Sequence, residues 1–316
     1  MSELDEKIKV SIERIQSFED LTHRFADDGA DGYYLAFSGG KDSVVVKRLM
    51  DMAGVKYDAH YRLTSVDPPE LVRFIREKHP DVSVDVPRYP EEYKNPRLAG
   101  KPVTMWNLIP EKGIPPTRRI RYCCEWLKES GGDGRMAVTG VRWAESSARK
   151  NQRDIIDIQD GGKIAQESEH FDVKRGSSVL INDNDESRQM LDACVTRHKT
   201  CLNPIIDWTD RDVWDFIRTE KIPYCELYDE GHHRLGCIGC LMARQHGRER
   251  EFARWPEYKA AYLCTFLQML KRREEHGLPN ARWPDETAVY NWWMAYDVLP
   301  GQIDLLAEEY EEEDEL

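Results

Sequence analysis

Apolar residues recur at Ile8, Ile12, Ile15, Phe18 and Leu21, the spacing of one helical face, so residues 4–26 read as an amphipathic helix. Gly29 and Gly32 interrupt it. The apolar run Tyr33-Tyr34-Leu35-Ala36-Phe37 then reads as a buried strand. After a polar stretch, residues 44–52 return to a helical pattern, and 57–61 read as a second strand. Pro68-Pro69 opens a helix that runs to Lys78, because the fixed φ of proline suits a first helical turn. Val82-Ser83-Val84-Asp85-Val86 alternates as a third strand, and Met136-Ala137-Val138-Thr139-Gly140-Val141 reads as a fourth. Strands alternating with helices predict an α/β fold, a doubly wound parallel sheet.

The pattern fails over 151–200, where Gly161-Gly162, Gly176-Ser177-Ser178 and Asn182-Asp183-Asn184-Asp185-Glu186 carry little periodicity. This stretch reads as an insertion or lid. Order returns at 203–214, where Thr209 and Asp212 have capping-box spacing and Trp208 is placed to staple onto Val213. Residues 251–273 and 286–297 are again helical in pattern. The expected organisation is an amino-terminal helix (1–28), a nucleotide-binding domain (29–240, with the insertion), a helical carboxyl-terminal segment (241–307) and an acidic tail (308–316).

Composition adds limits. The 316 residues are 40% hydrophobic and 33% charged, a globular balance. No run of 18 apolar residues exists to cross a membrane as a helix, and the amino end has no apolar signal core. A cytoplasmic setting is therefore expected, in which clustered cysteines among the eight present mean metal or chemistry rather than disulfides. The net charge is −13, and residues 308–316 carry seven acids and no base. That balance argues against nonspecific coating of nucleic acid, though a local basic groove is compatible with it.

Chemistry concentrates at two places. The first is Ser38-Gly39-Gly40-Lys41-Asp42-Ser43 between a strand and a helix. Glycines admit an anion to the backbone, amides and hydroxyls donate, and the helix amino terminus adds positive potential. A Walker loop would need glycine where Leu35 stands. Asp42 is suited to positioning Mg²⁺ among phosphates. Arg142, just past a strand's carboxyl end, is suited to a bidentate phosphate or carboxylate contact. Glu145 would pair with an arginine or position the nucleotide.

The second is the adjacent pair Cys123 and Cys124 with the distant C-x-x-C pair Cys237 and Cys240. Zinc, redox and cluster chemistry all use C-x-x-C. Adjacent cysteines suit a common zinc knuckle poorly, and distant pairs can supply the four thiolates of a [4Fe–4S] cube. Cys194, Cys201, Cys225 and Cys264 read as packing or loop residues, with Cys264 in a buried helix. Arg244, His246, Arg248, Arg250 and Arg254 read as an exposed salt-bridged helix, or as a nucleic-acid backbone contact with Trp255 or Tyr258 to stack on bases. Arg118, Arg119 and Arg121 lead into the first cysteine pair, as phosphate contacts or as a solvated basic turn.

The loop resembles the pyrophosphate loop of the adenine-nucleotide alpha-hydrolase superfamily. Thr64-Ser65-Val66-Asp67-Pro68-Pro69-Glu70, Arg121-Tyr122-Cys123-Cys124, Thr139-Gly140-Val141-Arg142-Trp143-Ala144-Glu145-Ser146, residues 203–214 and Gly236-Cys237-Ile238-Gly239-Cys240 extend the likeness to the phosphoadenylyl-sulfate reductase family. The cysteine layout is similar to that of cluster-bearing adenylyl-sulfate reductases and of the ATP-pyrophosphatase subunit of DNA phosphorothioation systems. The resemblance implies ATP and Mg²⁺ on Ser38, Gly39, Gly40, Lys41, Asp42, Ser43, Arg142 and Glu145, with Lys41, Asp42 and Arg142 catalytic. It further implies a [4Fe–4S] cluster on the four cysteines, a cysteine desulfurase as sulfur donor, and either nucleic acid or a small molecule as the sulfur acceptor. The expected activity is an ATP pyrophosphatase that adenylylates a substrate for sulfur transfer. The alternatives are a sulfonucleotide reductase regenerated by thioredoxin, and a non-catalytic ATP-binding subunit. Residues 308–316 lack the Glu-Cys-Gly-Leu-His-like tail that the reductase would need, and the loop is unaltered from the ATP-using form.

Overall fold

The computed structural model describes residues 2–22, 32–118, 120–132, 135–145, 201–243, 245–278, 280 and 282–295, with the backbone of 156–158, 171–174, 177–180 and 200. Its strands are β1 (Tyr33–Ala36), β2 (Tyr57–Arg62), β3 (Ser83–Asp85), β4 (Met136–Val138), β5 (Ile156–Ile158), β6 (Phe171–Lys174), β7 (Ser177–Leu180) and β8 (Thr200–Leu202). Its helices are α1 (Glu3–Ser17), α2 (Glu19–Thr22), α3 (Lys41–Ala53), α4 (Pro69–Lys78), α5 (Met105–Lys112) and α6 (Tyr122–Leu127). Four more follow: α7 (Asp210–Thr219), α8 (Gln245–Arg254), α9 (Pro256–Glu275) and α10 (Glu286–Met294). The chain forms two compact units, Met1–Pro102 with Trp126–Gly236, and Val103–Glu125 with Cys237–Leu316.

The first unit is built on a six-stranded sheet in the order β3-β2-β1-β4-β8-β5. Five strands run parallel and β5 closes one edge antiparallel to β8. The apolar β1 lies centrally, with Tyr33, Tyr34 and Leu35 buried. On the opposite edge, β3 leaves both Ser83 and Val84 exposed, and of the alternating valines only Val82 is buried while Val84 and Val86 face solvent. The hairpin of β6 and β7 falls within the expected insertion. Helix α1 starts at a capping box of Ser2 and Asp5 and ends sooner than its apolar pattern, because Phe18 leaves helical geometry to enter the core. Helix α3 starts earlier than its apolar pattern: the polar Lys41, Asp42 and Ser43 form its first turn. Thr209 and Asp212 form the expected capping box on α7, with Trp208 buried beside it.

In the second unit α5 packs on α9, and α9 on α10. The expected helix over 251–273 is two helices, because Pro256 lacks an N–H and takes the first position of α9 rather than continuing α8. Trp293, Phe266, Tyr262 and Met269 form the core. Trp293 donates its indole N–H to Pro116 O at 3.1 Å, and Arg273 donates to Gly113 O at 2.8 Å, which tie the two chain stretches together. No helix among the described residues is long and apolar enough to cross a membrane.

Candidate functional site

The glycines of the 38–43 loop have steric reasons to be there. Gly39 has φ +72°, and a Cβ on it would lie 2.7 Å from Leu71 and 2.8 Å from Ile75 of α4. Gly40 caps α3 with no side chain of its own. Ser43 donates to Gly40 O at 2.9 Å, and the Ser38 hydroxyl lies 3.2 Å from that of Ser43. The backbone N–H of Lys41 donates to the Tyr228 hydroxyl at 2.8 Å.

A four-charge cluster surrounds the first turn of α3. Arg142 donates from Nε to Asp42 and from Nη2 to Asp210, each at 2.7 Å, and from Nη1 to Trp208 O at 3.2 Å. Lys41 Nζ lies 3.5 Å from Asp42 and 3.3 Å from Asp210. Burial alone would raise the Asp210 carboxyl, but the charges of Lys41 and Arg142 hold it below the usual range. Gly140 admits this packing: a Cβ there would sit 2.9 Å from Asp42 Cβ. Glu145 accepts the backbone N–H of Arg142 at 3.1 Å, so it fixes the turn that carries the arginine.

All eight loop-site residues expected from the sequence therefore gather in one region. Arg142 makes carboxylate contacts, one of the two kinds expected of it: at 1% exposure it bridges Asp42 and Asp210. Sequence reasoning missed Asp210 and Tyr228. Asp210 had a signal, as an acid in the first turn of α7 that the Thr209–Asp212 box leaves unused. Tyr228 had none, since it ends the short turn Glu226–Tyr228 in a stretch without periodicity.

The four candidate cysteines lie in the second unit. Cys240 donates its N–H to Cys237 O at 3.1 Å, and Gly239 between them has φ +74°, the turn geometry that glycine favours. A Cβ on Gly239 would lie 2.7 Å from Phe252 and 3.2 Å from Trp293 and Tyr262. Glu251 accepts the Gly239 N–H at 2.7 Å, and Tyr262 donates to Ile238 O at 3.1 Å. Cys123 and Cys124 begin α6. The bond to Cys124, then burial, then the charges of Cys124, Cys237 and Cys240 push the Cys123 thiol far up. Among the described residues no three His, Cys, Asp or Glu side chains form a group ready to hold a single metal ion.

Other expectations need correction. Cys201 and Cys225 are buried, but Cys264 is exposed, because the inward stripe of α9 runs through Tyr262, Phe266, Met269 and Leu270. Arg248 is not on a solvated face. It is fully buried, stacks 5.2 Å from the Trp293 ring and donates to Trp293 O and Met294 O at 3.1 and 2.8 Å. Trp255 is also buried and cannot stack on bases. Arg118 is bonded to Leu241 O at 2.9 Å. Cys194, Arg119 and Arg244 lie outside the described residues.

A parallel α/β sheet whose central strand feeds a Ser-Gly-Gly loop and a helix amino terminus defines a nucleotide-binding fold of the PP-loop kind. The chain belongs to the phosphoadenosine phosphosulfate reductase domain family, which matches residues 32–243. It is 25% identical over 256 residues to an adenosine 5'-phosphosulfate reductase of Pseudomonas aeruginosa, covering 76% of this chain and 78% of that one. It is 24% identical over 241 residues to an uncharacterized protein of Methanocaldococcus jannaschii, covering 71% of this chain but only 40% of that relative's length. Among solved structures, a phosphoadenylyl-sulfate reductase from Candida auris aligns with 76% of this chain and 97% of its own, at 13% identity and TM-score 0.37.

Proposed function

We propose that this chain is an ATP pyrophosphatase that adenylylates a substrate for sulfur transfer or incorporation. The observation that carries the reading is the 38–43 loop: two hydroxyls, a lysine and a helix amino terminus turned on one spot, beside carboxylates braced by Arg142. The ATP triphosphate would lie on Ser38, Gly39, Gly40, Lys41 and Ser43, where the helix terminus and Lys41 offset its charge. A substrate oxygen attacks the α-phosphorus, and the bond to the bridging oxygen breaks, so pyrophosphate leaves with the electron pair. Lys41 stabilises the charge that grows on that leaving group. Arg142 acts through Asp42 and Asp210, and Glu145 acts through Arg142.

Mg²⁺ suits the carboxylates at this site. Asp210 is 67% exposed and its Oδ2 has no partner among the described residues, so Asp42 and Asp210 would hold the ion against phosphate oxygens. A [4Fe–4S] cluster suits the second unit, where Cys123, Cys124, Cys237 and Cys240 are four thiols within reach of one another's charge. Such a cluster supplies sulfur or electrons. Nucleic acid, as in phosphorothioation or thiolation, is the substrate class proposed, with a cysteine desulfurase as sulfur donor.

The exposed Cys264 keeps sulfonucleotide reduction as a second reading, because an accessible thiol is what that attack requires. Incubating the full chain with ATP, and separately with adenylyl sulfate and a thiol reductant, divides them. AMP and pyrophosphate from ATP support the first reading; sulfite release supports the second and defeats the first.

A further inference from the structure

The Lys41 backbone N–H is the donor that a phosphate on this loop would be expected to take, since it belongs to the first turn of α3. It is already engaged, by a hydroxyl that comes from 187 residues away. Gly40 offers α3 no side-chain cap, and a Cβ on Gly40 would lie 3.4 Å from that same hydroxyl. The Tyr228 oxygen therefore stands over the loop. As it accepts the Lys41 N–H, its own O–H remains to be given away, and it finds no acceptor among the described residues.

The ring is held in place rather than free to swing. Trp214 meets it edge-on at 5.2 Å, and Tyr224 packs at 6.5 Å. The turn that carries it is tied to α4 by Arg73 and Glu226 at 2.7 Å. Burial also pushes the phenol well above its ordinary value, so it stays protonated and able to donate at neutral pH.

We propose that Tyr228 is a phosphate-binding residue of the loop: its hydroxyl orders Lys41 through one bond and donates the other to an oxygen of the bound nucleoside triphosphate. This rests on the ATP reading above. It adds a residue from outside the loop that distinguishes a phosphorylated ligand from a bare nucleoside.

The opposite role is a cap that the anion must displace, and the two roles predict opposite signs. Removing a donor weakens phosphate binding, whereas removing a competitor for the Lys41 N–H strengthens it. The test is calorimetric titration of the full chain and of Tyr228→Phe with ATP, with inorganic pyrophosphate and with adenosine. The expected result is ATP and pyrophosphate binding about ten- to a hundred-fold weaker, as for loss of a hydrogen bond to a charged group, with adenosine binding unchanged. Unchanged or tighter pyrophosphate binding in Tyr228→Phe overturns the proposal while the ATP reading stands. Loss of adenosine binding in parallel would make the tyrosine a structural support and overturn it too. If the unsubstituted chain binds neither ATP nor pyrophosphate, the ATP reading itself falls, and this inference with it.

Discussion

Six consecutive residues, 38–43, supply most of the loop site, whereas the cysteine site draws its pairs from two stretches of chain more than a hundred residues apart. The difference shows in what holds each one. At the loop, charge is balanced across the first turn of a helix, and a buried arginine spans two carboxylates. At the cysteines the thiols gather, and the support is apolar: Phe252, Tyr262 and Trp293 press on Gly239, while Glu251 and Tyr262 tie down the turn. A site of the first kind is ordered by its own electrostatics. A site of the second kind is shaped by packing rather than by charge.

This contrast predicts that the two sites fail separately. The largest effect is expected from Cys123→Ser or Cys240→Ser in anaerobically purified protein, with iron and acid-labile sulfide lost and ATP affinity kept. Stoichiometric zinc without iron in the unsubstituted chain would remove the cluster from the account.

Next in size is Arg142→Met, which removes a buried guanidinium from the part-buried Asp42 and the exposed Asp210. About 1.5–3 kcal/mol of stability should go in denaturant unfolding, with cysteine-bound iron retained. Gly239→Ala is the matching probe of the second unit. A Cβ at positive φ against Phe252 should cost about 2–3 kcal/mol and lower iron content without touching ATP binding.

The smallest effect is a pH dependence that belongs to the first unit. Burial between Phe37 and Phe74 pushes His79 down to about 4 from its ordinary 6.5, so the unfolded chain binds the extra proton first. Its contribution is present above pH 6.5 and is lost as pH falls toward 4, by about 1–2 kcal/mol after allowance for solvent screening. His79→Gln should flatten that slope in unfolding measured by intrinsic fluorescence.

The two regions also differ in how far their residues could be read from the chain alone. The loop was legible because its chemistry is contiguous: strand, Ser-Gly-Gly-Lys-Asp-Ser and helix lie side by side in sequence. Its outer partners were less so, since Asp210 and Tyr228 reach it through the fold. The four cysteines were legible by their spacing as two pairs, and the structure places both pairs in one unit. Their support was not, because Arg248 is surface-like in sequence and is buried only where it meets Trp293 and Met294 of α10. Cys264 shows the converse: an apolar neighbourhood in sequence suggested burial, but only one stripe of α9 faces inward.

The central claim is that residues 38–43 bind the triphosphate of ATP, and one titration tests it most directly. ATP binding to the full chain should be measured by calorimetry beside the double variant Ser38→Ala with Asp42→Ala, whose far-ultraviolet circular dichroism reports the fold. The account predicts ATP binding by the unsubstituted chain and its loss in the folded double variant. Equal affinity in the two proteins would contradict it.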